Sequence, residues 1–351
     1  MQSIKRILLS RMKFIGDVVL TTPVIRAVRE QFPEAYIAYL GDKEAVSLLE
    51  GNPCLNEIIP YDFSKPSLFE SPRVIFQLRK RKFDAVVDLF SNPRTALLMY
   101  ASGAPIRIGK KSEGRGNLYT HQIEDDGKPK SAIQFHYQYV KPLGVEPTQF
   151  NTEIFLTDIE KREAKRFLQW QFESDESCAP QSYAQQPIIG INPGATWPAK
   201  IWLRERFAGL AFLLTKHLNA RVVLFQGPKD KTLAEEVAKL SLANVSVLPV
   251  MQLRQLAAAL SQLSLYITND NGTMHIAVAT GTTTIGIFGP GEENIWFPYS
   301  PPHLALRKNV PCHPCHLDFC NLPGDEYMKC MKKLSVDEVF LEVKKRLLVD
   351  G

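Results

Sequence analysis

The amino-acid sequence predicts an α/β protein of two Rossmann-like halves, each a parallel sheet flanked by helices, facing each other across a cleft. Two observations carry that reading. Short apolar runs of strand length alternate with helix-period segments, and the alternation occurs twice, on either side of a stretch of loop composition. That stretch, residues 173–187 (ESDESCAPQSYAQQP), has no apolar periodicity and reads as a linker, which sets the expected domains at 1–174 and 187–351. A chain of 351 residues is long enough to bury two cores.

In the first half, residues 5–10 (KRILLS) are the expected first strand and 11–15 a loop. Gly16-Asp17 then leads into one helical pattern at Val18, Val24, Ile25, Val28 and Phe32. Within it Pro23 either kinks the helix or stands in a first turn after a Thr22 cap. Residues 36–40 and 57–60 are further strands, with a short helix at 45–49 between them. A basic helix at 74–82 precedes the strand 85–89 (AVVDL). Residues 110–130, rich in Gly, Lys and Arg, read as a mobile surface loop, and helices follow at 133–143 and 159–172. The second half places strands at 188–191, 221–225, 245–248, 265–267 and 283–288. Between them come helices at 205–217, 232–240, 253–261 and from Met274 towards Thr280. A last amphipathic helix, 336–348, opens on Ser335 with Glu338 three positions on, a capping box.

The stretch 265–290 (LYITNDNGTMHIAVATGTTTIGIFGP) is the one the chain is organised around. It reads as strand, tight polar loop, helix and strand, one βαβ unit of a parallel sheet. Its loop joins the carboxyl end of a strand to the amino end of a helix, where free N–H groups and the helix dipole favour an anion such as a diphosphate. Gly272 permits close backbone approach and Asp270 can accept hydrogen bonds from sugar hydroxyls, although an N-cap role for Asp270 or Asn271 fits equally. Two other loops, 192–202 and 226–230, share the carboxyl-end position, so the three form one crevice in an open sheet. Together they supply the cation Lys200, the carboxylates Asp230 and Asp270, and the aromatic Trp202. That set suits a nucleotide-diphosphate ligand. No G-x-G-x-x-G follows the first strand and no P-loop motif occurs, which counts against dinucleotide oxidoreductases and P-loop nucleotidases. With no evident Asp-x-Asp pair to hold a divalent cation, a leaving diphosphate would be stabilised by Lys200 and helix N–H groups.

A net charge of +5 and a pI near 8.7 fit an anionic small molecule or membrane surface and are too weak to argue for nucleic acid. No apolar run approaches the ~18 residues a membrane span needs, and the opening residues read as the first strand of a cytoplasmic protein. Cys312, Cys315, Cys320 and Cys330 crowd into residues 312–330, beside His313 and His316. Without an export signal this suggests reduced thiols or a structural metal before disulfides.

Several ordered motifs resemble those of the bacterial lipopolysaccharide heptosyltransferases, glycosyltransferase family 9. They are Gly16-Asp17-Val18-Val19 with Thr21-Thr22-Pro23, Asn192-Pro193-Gly194-Ala195 with Lys200-x-Trp202, Gly227-Pro228-x-Asp230, Leu248-Pro249 with Met251, and Asn269-Asp270-Asn271-Gly272-x-Met274-His275. The Gly289-Pro290 end and the cysteine-rich tail are also similar to many members. The resemblance implies a GT-B fold, an N-terminal acceptor domain, a C-terminal donor domain, and inverting, metal-independent transfer from ADP-heptose to a lipid-linked lipopolysaccharide core, with no cofactor required. By motif position it implies Asp17 as general base and Lys200 on the phosphates. Gly16, Gly194, Ala195, Thr196, Trp202, Asn271 and Gly272 would surround the donor, Asp270 would bind its heptose, Asp230 its ribose and Met251 its adenine. His275 would contact phosphate or sugar. The family often has Glu where Asp230 stands. Arg79, Arg107, Lys110 and Lys111 are candidate contacts for the acceptor or an anionic membrane surface, which would place the enzyme at the cytoplasmic face of the inner membrane. The alternatives are a related glycosyltransferase with another nucleotide-sugar or glycan acceptor, and a non-catalytic nucleotide-binding protein.

Overall fold

A computed structural model describes residues 4–112, 114, 116–173 and 186–349, so 174–185, the body of the expected linker, lie outside the described residues. The chain divides into two compact units, Met1–Phe155 and Leu156–Gly351.

The first unit holds strands β1 (Arg6–Ser10), β2 (Tyr36–Asp42), β3 (Glu57–Tyr61), β4 (Ala85–Asp88), β5 (Ile106–Lys110) and β6 (His121–Ile123). They form one parallel sheet in the order β3-β2-β1-β4-β5-β6. Its helices are α1 (Ile15–Val19), α2 (Thr22–Gln31), α3 (Ser67–Arg81), α4 (Pro93–Ala101) and α5 (Ala132–Gln138). Ile7, Leu8 and Leu9 of β1 have no exposed surface, because a central parallel strand is covered on both faces. From β1 the chain runs outward to β3 and then returns to β4, so the direction of winding reverses between β1 and β4. A crevice at the carboxyl ends of these two strands follows from that reversal.

Three expectations need correction here. The single helix expected over 18–32 is two, α1 and α2, with Pro23 in the first turn of α2 and Thr21, not Thr22, at its N-cap. Proline has no N–H to give the Val19 carbonyl, and the Thr22 hydroxyl donates to that carbonyl instead, at 2.8 Å. The Thr21 hydroxyl likewise donates to Val18 O, at 2.7 Å. Residues 110–130 are also not loop throughout, since β6 lies within them and β5 ends there. A three-residue edge strand is too short to show a period-two pattern.

The second unit begins with α6 (Asp158–Glu173) and continues with β7 (Ile188–Asn192), α7 (Arg204–Leu218), β8 (Arg221–Leu224), α8 (Lys231–Ser241) and β9 (Val245–Val247). Then come α9 (Leu253–Leu260), β10 (Leu265–Asn269), α10 (Gly272–Ala279), β11 (Thr284–Phe288), α11 (Glu293–Trp296) and β12 (Leu304–Arg307). The short α12 (Lys329–Lys332) and α13 (Val336–Val349) close the chain. The parallel sheet has the order β12-β11-β10-β7-β8-β9, so winding again reverses, between β7 and β10.

The third difference is the boundary. The helix expected to end the first domain, α6, belongs to the second unit, so the units part at 155/156 and not near 174. Arg254 of α9 grips Glu160 of α6 with Nε at 2.5 Å and Nη2 at 2.7 Å, and this hydrogen-bonded guanidinium pulls the Glu160 carboxyl down to about 2.

Candidate active site

In the second unit, three asparagines tie the loop after β7 to the loop after β10. Asn271 caps α10, its Oδ1 accepting from Thr273 N at 3.0 Å and Met274 N at 3.2 Å. Its Nδ2 donates across to Gly194 O and to Thr268 Oγ1, both at 2.9 Å. Asn269 donates to Pro193 O at 2.8 Å and accepts from Trp202 N at 3.0 Å, while Asn192 accepts from Gly194 N at 2.9 Å. The side-chain amides of all three are spent on loop geometry, which holds Gly194 and the start of α10 in fixed register.

Lys200 and Asp270 meet on that frame as an ion pair, Nζ to Oδ2 at 2.6 Å, with side chains only 16% and 6% exposed. The ammonium also lies 4.4 Å from the centre of the Trp197 ring. Gly291 is required beside them, because a Cβ there would stand 2.6 Å from Asp270 Oδ2. His275, one turn into α10, is buried with Nδ1 2.7 Å from the Tyr299 hydroxyl. Burial and then the Lys200 charge hold its pKa down to about 3, so the ring is neutral. Ala195 is half-buried and Thr196 exposed at the mouth of the same loop, and Gly272 is half-buried at the start of α10.

Asp230 precedes α8 and accepts from Gly227 N at 3.2 Å, with burial pushing its carboxyl up. It leans over Gly194, where an added Cβ would stand 2.4 Å from its Cγ. A Gly194→Ala variant therefore has to displace Asp230. The expected result is a rise of roughly tenfold in the Kd for ADP, measured by titration calorimetry, at an overpacking cost of about 1–3 kcal/mol.

Two expected donor residues stand apart from the Lys200–Asp270 pair. Trp202 has no exposed surface: it packs edge-on against Phe207 in the core, and its indole N–H donates to Leu334 O at 3.1 Å. The Lys-x-Trp spacing thus anchors the loop that carries Lys200 and does not offer the indole to a ligand. Met251 is half-buried and lines a cavity of about 320 Å³ between α6 and α9, together with Pro249, Phe167 and Arg254. None of Lys200, Asp230 and Asp270 lines that cavity.

In the first unit, Gly16 and Asp17 are buried in α1, just beyond the carboxyl end of β1. Asp17 Oδ1 accepts from Arg11 Nη2 at 2.5 Å and Oδ2 from Phe14 N at 3.3 Å. Arg11 is itself held by Leu89 O at 2.8 Å and stacks 4.7 Å from the centre of the Phe90 ring. Sequence reasoning assigned Arg11 to a loop and missed it, and six residues of separation carry no periodic signal. Of the basic residues, Arg107 spends Nε on Leu118 O at 2.9 Å and Nη1 on Ala104 O at 2.6 Å, and Lys111 pairs with Glu124 at 2.6 Å. Arg79 donates to Ala101 O at 2.8 Å, and Lys110 is exposed.

The four clustered cysteines are free thiols around a cavity of about 70 Å³ that Ala199 and Pro290 also line. Burial pushes the Cys330 thiol up. Among the described residues no group of three or more His, Cys, Asp or Glu is arranged to hold a metal ion. What the tail does is brace the Lys200 loop from behind. Ala199 N donates to Asp318 O at 2.9 Å, and Cys315 N and His316 N both donate to Pro290 O, at 3.2 and 3.1 Å.

Two parallel six-stranded sheets, the second with a cation and a carboxylate at its switch point, give the chain the GT-B architecture. The chain belongs to glycosyltransferase family 9, the heptosyltransferase family, whose model matches residues 72–324. It is 26% identical over 307 residues to lipopolysaccharide heptosyltransferase 3 of Escherichia coli, covering 82% of this chain and 85% of that one. A solved glycosyl transferase family 9 structure from Veillonella parvula DSM 2008 superposes with a TM-score of 0.84 at 26% identity, covering 98% of this chain and 97% of the other. The E. coli heptosyltransferase WaaC with ADP-2-deoxy-2-fluoro heptose shares the fold, at a TM-score of 0.69 and 19% identity over 97% of this chain and 99% of that one.

Proposed function

We propose that the protein transfers heptose from ADP-heptose to a hydroxyl of the lipopolysaccharide inner core, with inversion and without a metal ion. The observation that carries this is the Lys200–Asp270 pair at the β7/β10 switch point of a family 9 chain: a cation for a diphosphate beside a carboxylate for a sugar diol. The acceptor hydroxyl gives its proton to Asp17 as its oxygen attacks the anomeric carbon from the face opposite ADP. The bond from that carbon to the β-phosphate oxygen breaks, and its electron pair leaves with ADP. Lys200, Thr196 and the Asn271-Gly272 backbone at the α10 N-terminus then meet the developing charge. Asp270 holds the heptose hydroxyls, Asp230 the ribose, and Met251 flanks the adenine. Gly194 and Ala195 let the diphosphate approach the backbone, and neutral His275 gives at most a hydrogen bond. Lys110 is the better-placed of the acceptor candidates, since Arg79, Arg107 and Lys111 are engaged within the unit.

Among the described residues no helix is long and apolar enough to cross a membrane. The proposed place of work is the cytoplasmic face of the inner membrane, where a lipid-linked acceptor is reached from the aqueous side. A panel of nucleotide-sugar donors, read out by released nucleoside diphosphate, tests the reading. ADP-heptose is expected to be turned over fastest, with activity unchanged by EDTA. Faster turnover of another donor assigns the chemistry to that sugar, and loss with EDTA restored by Mg²⁺ refutes the metal-free step.

A further inference from the structure

We propose that the outer face of α3 and α4 is a docking surface for an anionic phospholipid bilayer. The two helices lie on one side of the first sheet, because Val74 and Leu78 of α3 and Ala96 and Met99 of α4 enter the same core cluster. Their C-terminal ends are joined by the Arg79 Nε to Ala101 O bond. Turned away from that core are Phe69, Pro72, Phe76 and Lys80 of α3, spaced three, four and four residues apart, and Leu97 and Tyr100 of α4. Phe69 is 70% exposed, Phe76 71%, Leu97 55% and Tyr100 52%, which concentrates large apolar side chains on one surface.

The charges on and around this surface have one sign. Glu70 is buried against Arg73 and Glu57 is paired with Arg81, so neither acid stands as an unpaired negative charge beside this face. Lys80 and Lys82 are exposed and make no ion pair among the described residues. A second copy of the chain would bring two positive faces together across a two-fold axis, which opposes association. An anionic bilayer matches both features: aromatic and leucine side chains enter the headgroup–acyl boundary, and the lysines extend to lipid phosphates. The purpose of such docking rests on the proposed lipid-linked acceptor, but the docking itself is measurable without it.

The test is co-sedimentation of the full chain with phosphatidylethanolamine vesicles containing phosphatidylglycerol, against vesicles of phosphatidylcholine alone. The wild type is expected to bind the anionic vesicles, less so in high salt. A Phe69→Ser/Phe76→Ser/Leu97→Ser variant is expected to bind at least roughly tenfold more weakly with an unchanged melting temperature. Lys80→Glu/Lys82→Glu is expected to lose about fivefold per charge, and it carries the test if the serine variant does not fold. Wild type that stays in solution, or variants that sediment like wild type, overturn the proposal. So does a wild-type dimer that the serine variant dissolves, which would give the face to a second copy. Turnover of a deacylated, soluble acceptor separates the two readings. The serine variant is expected to keep it, and its absence in wild type would overturn the proposed function while leaving the vesicle result standing.

Discussion

Asp17→Asn is expected to lower kcat for heptose transfer by roughly 10²–10⁴-fold while ADP affinity stays within about twofold, the mark of an interaction made only in the transition state. The amide keeps an oxygen to accept from Phe14 N but has no charge to offer Arg11 and no site for the acceptor proton. A fold defect has to be separated from lost chemistry, because the ion pair is mostly buried, with side chains 14% and 12% exposed. Arg11→Met leaves a carboxylate in place but removes the guanidinium that aims it, so a smaller fall in kcat is expected. The double variant Asp17→Asn/Arg11→Met removes both partners together. Its melting temperature is expected to recover towards wild type while its kcat stays at the Asp17→Asn level. Single-turnover assays beside thermal melts decide the matter. Near-normal kcat in Asp17→Asn would end the base assignment.

Much of the fold is legible in the sequence because parallel α/β sheets announce themselves through continuous apolar strands. Ile7, Leu8 and Leu9 of β1 and Leu265, Tyr266 and Ile267 of β10 are covered on both faces, and their apolar runs show it. The elements that escape are those whose signal is short or mixed. β6 and β12 are edge strands of three and four residues, and the break between α1 and α2 turns on Pro23, whose missing N–H leaves the Val19 carbonyl to the Thr22 hydroxyl. The unit boundary escapes for a different reason: loop composition at 173–187 marks where the chain is irregular, whereas packing of α6 on α9 decides which core a helix joins. At the site, residues whose type dictates their chemistry are easy to find. Lys200 and Asp270 stand in the connections that follow β7 and β10, and Asp17 in the short helix after β1, the ends of parallel strands where ligands bind. Arg11 and the asparagine frame are not, because their value lies in which carbonyl or carboxylate they reach in space. Trp202 is the instructive case. Its motif spacing points to the site, yet its indole is spent on Leu334 O in the core, so the spacing reports loop anchoring.

Lys200→Met is expected to cost roughly 10²–10³-fold in kcat and, independently, to destabilise the ligand-free protein by about 3–5 kcal/mol. Both follow from one arrangement. The cation proposed for phosphate and the carboxylate proposed for sugar hydroxyls form an ion pair at 2.6 Å inside the loop frame. Removing the lysine strands Asp270, which is 5% exposed, without a counter-charge. Asp270→Asn in the Lys200→Met background removes that stranded charge, so stability is expected to return while kcat does not. The pairing also makes a prediction about ligand. Under the proposed function, binding of ADP-heptose is expected to turn Lys200 to the diphosphate and Asp270 to the heptose and so to break the direct coupling between them. A double-mutant cycle over Lys200→Met and Asp270→Asn, measured by thermal melts, is expected to give a coupling of at least about 3 kcal/mol without ligand, since the double variant recovers what the lysine variant loses. With saturating ADP alone the coupling is expected to shrink, because the phosphates engage Lys200 while no sugar replaces its hold on Asp270. A coupling unchanged by ADP would mean that Lys200 never leaves Asp270, and the lysine would then be a structural partner of the loop and not the group that stabilises the leaving diphosphate.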